Sequence, residues 1–135
     1  MIALGARQSF GRAAIGRAGD DAVIAAATAA RGFAREHPGL YAASLQAPPS
    51  DVAELTAAAE QFTSIFFDAI RQYGFDGSQA VHAVRGLFST VHGFIMLERA
   101  GTFGMPIDVD ESFRWLLQRY VTTLHRTASQ TGAHP

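Results

Sequence analysis

The sequence predicts an all-α fold on three observations. Apolar residues recur at helical spacing along most of the chain. No stretch alternates apolar and polar residues as a half-buried strand would. Glycine, proline and aspartate punctuate the chain at intervals that suit helix ends. The expected architecture is a helical bundle of about five to six helices, one domain over residues 1–135.

The elements follow in order. Residues 2–17 read as a loosely amphipathic helix that ends among the glycines of 16–19. Asp20 or Asp21 then caps a second helix, whose apolar face is Val23, Ala26, Ala27, Ala30, Phe33 and Ala34. That helix stops at His37, because Pro38 disfavours helical geometry in the residue before it. Pro38 suits a first helical position and opens a short helix, PGLYAASLQ. The loop APPS follows, and Asp51 with Glu54 three residues on gives a capping-box-like start to the next helix. It runs to about Tyr73, where YGFDGS breaks it. A long helix is expected over 78–100 and a loop over 101–109, with Gly101, Gly104 and Pro106. The last helix starts near Asp108 or Asp110 and runs to about Ser129, before a frayed tail.

Composition narrows the function classes. A chain of 135 residues can bury a proper core without covalent staples. It has no cysteine, which excludes disulfides and thiolate metal sites. Charged residues are only 17%, below the roughly 25% of an average globular protein, so part of the surface is expected to be covered by another subunit. The net charge of −1 gives no basic footprint for nucleic acid. All 11 basic residues are arginine, a pattern that fits a GC-rich genome. No apolar run approaches the ~20 residues of a membrane span and no signal peptide is evident, so a cytoplasmic protein with no membrane partner is expected.

The long helix resolves into three stripes at 100° per residue. One is apolar: Val81, Val84, Phe88, Val91 and Ile95, flanked by Leu87 and Phe94. One is small: Ala83, Gly86, Thr90 and Gly93, which lets another helix approach closely. The third is mainly polar: Ser78, His82, Arg85, Ser89, His92 and Met96. A solvated or internally satisfied face accounts for this stripe, and so does a set of hydrogen-bonding groups facing a cavity or a partner. The preceding helix carries FTSIFFDAI, whose aromatic residues cover more than one face. That is the composition of a deeply buried helix or of one bordering an apolar cavity.

Chemistry is sparse. The histidines at 37, 82, 92, 125 and 134 form no i, i+4 pair and no Glu-x-x-His or His-Glu-x-x-His motif. GRAAIGRAGD has glycines but no lysine and no preceding strand, so it is not a phosphate loop. Asp108, Asp110 and Glu111 cluster at a helix N-terminus, where the macrodipole explains them. No catalytic residue, metal site or cofactor is expected, and the chain is not read as an enzyme.

HPGLY after an alanine-rich helix, the aromatic helix, VHGFIMLERAGTF and a closing helix together resemble the C-terminal domain of TetR-family transcriptional regulators. The closest resemblance is to the branch named for its Trp-His-Gly motif; His92 and Gly93 match, and Val91 stands where that branch carries tryptophan. The resemblance runs from about Leu4 to His125. It implies a domain that binds a small effector and forms a homodimer. In the family an N-terminal helix-turn-helix domain reads DNA, and no segment of that type occurs in this sequence. The chain therefore reads as a regulatory fragment or a chain lacking the reader, with DNA reached only through that missing domain. The alternative is a stand-alone helical small-molecule-binding or enzyme-like protein.

Two sets of residues follow. Phe33, Tyr41, Phe62, Phe66 and Phe88 are expected to wall a cavity for a hydrophobic or amphipathic effector, with Arg85 and His92 as polar anchors. A homodimer is expected to use Ala83, Gly86, Thr90 and Gly93 of the long helix with Trp115, Arg119 and Thr122 of the last. Trp115 points away from the stripe Phe113, Leu117, Tyr120 and Leu124, which is expected to face the core.

Overall fold

The computed structural model describes residues 19–45 and 53–130, without the side chains of 53–59, 62, 129 and 130. These residues form α1 (Gly19–Glu36), α2 (Pro38–Leu45), α3 (Ala53–Arg71), α4 (Gly77–Arg99) and α5 (Val109–Gln130). No strand occurs among them, and the fold is all-α. The expected helix over 2–17, the APPS loop, the Asp51 cap and most of the tail lie outside the described residues.

α1 is the hub of the bundle and touches the other four helices. Alanine makes this possible: Ala22, Ala26, Ala27, Ala30 and Ala34 are buried, and their short side chains let neighbouring axes come close. His37 breaks the chain as expected, since its N–H closes the last turn on the Phe33 carbonyl and α2 begins at Pro38. Asp20 lies inside the first turn of α1, which begins at Gly19. Its carboxylate is engaged by Tyr73 and His125.

The core differs in phase from the sequence reading. On α4 the buried residues are Ala80, Val84, Leu87, Val91, Phe94 and Ile95, while Val81 and Phe88 are half-buried. The expected flank, Leu87 and Phe94, is thus the centre of the buried face. α5 buries Phe113, Leu117, Val121 and Leu124. Tyr120, expected in that stripe, is half-buried, because its hydroxyl reaches out to the Ala83 carbonyl at 2.7 Å. By length and composition α4 is apolar enough to cross a membrane, contrary to the sequence expectation. Its buried residues nonetheless face the other helices, the pattern of a core helix in a bundle.

Arg31 is the one buried charge among the described residues, at 7% exposure in the middle of the alanine face. It donates from Nε and Nη2 to both Glu98 oxygens, at 2.9 and 2.6 Å, and from Nη1 to Asp110 at 2.8 Å. Its guanidinium also lies over Phe113 and Phe94, 4.9 and 5.5 Å from the ring centroids. Two carboxylates and two ring faces offset the cost of burying this charge. The cluster joins α1 to the end of α4 and the start of α5, at the turn that separates the last two helices. At the opposite end of α1, Tyr73 Oη donates to Asp20 at 2.5 Å and His125 Nε2 lies 2.9 Å from the same oxygen.

Candidate functional site

The polar stripe of α4 faces a groove. Arg85, Phe88, Ser89 and His92 line it together with Leu45, the last residue of α2; it is shallow and open to solvent, with about 320 Å³ of space. The positions 85, 88/89 and 92 are successive turns of one helix face, so helical geometry alone gathers them. Pro38 starts α2 directly after α1, which carries Leu45 and Tyr41 across to α4.

His92 is half-buried, and its partner is Tyr41: the phenol oxygen lies 3.0 Å from Nδ1. Tyr41 is 2% exposed, and burial pushes its phenol up to about 12, with the Arg99 charge opposing the rise. The phenol therefore keeps its proton at neutral pH. With the phenol donating to Nδ1, a neutral His92 carries its proton on Nε2, at the other side of the ring. Ser89 spends its hydroxyl proton on the Arg85 carbonyl at 2.7 Å and offers lone pairs. Phe88 forms the apolar floor, edge-on to Phe66 at 5.5 Å and to His92 at 6.5 Å between centroids.

Of the residues expected to wall a cavity, the structure brings Arg85, Phe88 and His92 to the groove surface. Tyr41 stands behind His92, and Phe66, fully buried, backs Phe88. Phe33 is tilted against His37 at 5.3 Å, at the α1–α2 junction. The Phe62 side chain lies outside the described residues. Ser89 stands on the polar stripe for which a cavity-facing reading is open, whereas nothing in the sequence marks Leu45 as a lining residue.

The small-residue stripe divides in two. A Cβ on Gly86 would stand 3.1 Å from the Tyr120 hydroxyl, and Ala83 gives that hydroxyl its acceptor. At these two positions a close approach comes from α5 of the same chain. Gly93 has nothing within 4 Å of its Cβ position, and Thr90 is half-buried. One turn further, Met96 and Leu97 are exposed. On α5, Trp115 is 58% exposed with the Arg119 guanidinium 4.4 Å from its ring centroid. Thr122 is exposed and bonds the Gln118 carbonyl of its own helix. A second cavity, about 360 Å³, lies under the α4–α5 loop between Phe94, Phe103 and Val109, with Met105 and Ile107 exposed at its edge.

Residues 23–120 match the family of tetracyclin repressor-like C-terminal domains. The chain is 36% identical over 122 residues to the HTH-type transcriptional regulator Rv0681 of Mycobacterium tuberculosis, covering 90% of this chain and 56% of that protein. It is 30% identical over 109 residues to the HTH-type transcriptional regulator YobS of Bacillus subtilis, covering 80% of this chain and 56% of that protein. The chain thus spans about half the length of the curated relatives it matches.

Proposed function

This chain belongs to the TetR-like transcriptional regulators, as a C-terminal domain of that family, and from that premise we propose that it is the effector-binding and dimerisation body of such a regulator. A small amphipathic molecule occupies the groove between α2 and α4, and its binding controls a helix-turn-helix reader outside this sequence. The body carries no chemistry of its own, and it works in the cytoplasm, where the operator is.

The observation that supports this reading is the Tyr41–His92 pair beside Phe88. It places an oriented hydrogen-bond donor next to an aromatic floor in a concave site, the combination that small-molecule pockets use for orientation and affinity. The groove borders α2, which follows directly on α1, the helix that contacts every other described helix. A ligand that moves α2 against α4 therefore biases the whole bundle, as allosteric control of two DNA readers requires. The exposed Trp115, Leu97 and open Gly93 support a two-fold helical interface on a different face.

A thermal-shift screen tests the effector reading. Ligands that raise the Tm of the wild-type chain should lose about 1 kcal/mol or more of affinity in His92→Ala, the scale of a lost hydrogen bond, and should also weaken in Phe88→Ala. Hits whose affinity is the same in both variants would place the effector elsewhere.

A further inference from the structure

We propose that the α2–α4 groove selects elongated anionic ligands: a carboxylate or similar oxyanion at Arg85, an apolar segment over Phe88 and Leu45, and an oxygen acceptor facing His92 Nε2. The inference rests on the effector reading above and specifies its ligand class.

Charge decides the first part. Among the described residues that line the groove there is one arginine, Arg85, and no carboxylate. Arg31, Arg35 and Arg71 are all committed to acidic partners, whereas Arg85 has no ion-pair partner among the described residues. Its side chain is exposed at the groove edge, where a guanidinium fork is free to take a carboxylate with two parallel hydrogen bonds. A cationic ligand would find no counter-charge among the described lining residues.

Spacing decides the rest. Arg85 and His92 are seven residues apart on one helix, about 10 Å along its axis at 1.5 Å per residue. Phe88 lies between them, and its floor is apolar. One small headgroup does not span that distance, but an extended chain with a polar group at each end does. At the His92 end the buried Tyr41 phenol engages Nδ1, and the tautomer in which that phenol donates leaves Nε2–H as the donor toward the ligand. Ser89 does not compete as a donor, since its proton is held by the Arg85 carbonyl. The ligand class is therefore a medium-length aliphatic acid carrying a carbonyl, ester or similar oxygen near its far end.

Calorimetry on the whole chain with four probes tests this: the monomethyl ester of nonanedioic acid, nonanoate, the dimethyl ester of nonanedioic acid, and octyltrimethylammonium. The monomethyl ester should bind about tenfold or more tighter than the dimethyl ester, and roughly threefold or more tighter than nonanoate, from the scale of charge-assisted and neutral hydrogen bonds. Arg85→Gln should bring the two esters to within about twofold of each other, and Arg85→Lys should keep the charge preference. His92→Phe should remove the advantage over nonanoate alone. Circular dichroism and Tm confirm that each variant is folded, which exposure of Arg85 favours. Equal binding of the two esters, or tightest binding of the ammonium probe, would overturn the anionic class while leaving an effector groove in place. Failure of all four probes to bind at millimolar concentration would overturn it too. If, in addition, no ligand of any class perturbs the Phe88 and His92 resonances, the effector reading falls with it.

Discussion

The buried Tyr41 hydroxyl lies 3.0 Å from Nδ1 of His92 and leaves Nε2 as the ring nitrogen it does not engage. Nitrogen chemical shifts of the histidine rings at neutral pH should show His92 as the Nε2–H tautomer. Tyr41→Phe removes the donor and should convert it to a mixture of tautomers. An Nδ1–H tautomer in the wild type would reverse the direction of this bond.

Gly86 and Gly93 should respond differently to alanine. Both gain roughly 1 kcal/mol of helix propensity. At Gly86 the new methyl group meets the Tyr120 hydroxyl at 3.1 Å and disturbs its 2.7 Å bond to the Ala83 carbonyl, so the gain should be cancelled. At Gly93 the Cβ position is open within the chain, so in the isolated chain the gain should survive. Chemical denaturation in a Tyr120→Phe background checks the cause: removing the hydroxyl should restore the stabilisation by Gly86→Ala. Identical effects of Gly86→Ala with and without the hydroxyl would contradict this account.

Acid should unlock the Arg31 cluster. Glu98 is held below the usual carboxylate range by its hydrogen bonds to Arg31, against the opposing effect of burial, with Arg35 adding to the depression. Asp110 is lowered by Arg31 as well. At the other end of α1, burial raises Asp20 but its bonds to Tyr73 and His125 outweigh that and lower it. All three have folded-state values below their unfolded ones, which lie at about 4. Their stabilisation is therefore complete above about pH 5 and is lost as the pH falls through 4 and below. Glu98→Gln should cost about 1–3 kcal/mol at pH 7 and flatten the decline between pH 5 and 3. A wild-type stability that does not change across that interval would remove the cluster from the account.

Much of this fold was legible because its helix ends rest on local chemistry. Pro38 and the Gly74–Gly77 turn set boundaries that the sequence carries within a few residues. The phase of α4 was less legible. Val81 and Phe88 look like core by residue type, yet tertiary packing turns Leu87 and Phe94 inward. Arg31 was not anticipated either, since its partners Glu98 and Asp110 are 67 and 79 positions away and nothing local announces a buried arginine. Arg85, Phe88 and His92 could be gathered from helical periodicity alone, whereas Leu45 comes from another helix.

The central claim is a two-fold regulatory body, because a pair of DNA readers at fixed spacing needs two bodies joined by symmetry. Trp115 under Arg119, the exposed Leu97 and the open Gly93 are the proposed contact surface. Tryptophan and arginine are the residues most often found at interface hot spots. The most direct measurement is sedimentation of the chain at micromolar concentration. The account predicts a species of about twice the 14.4 kDa chain mass, shifted toward the monomer by Trp115→Asp and by Gly93→Leu. A wild-type chain that sediments as a monomer throughout that range would contradict it.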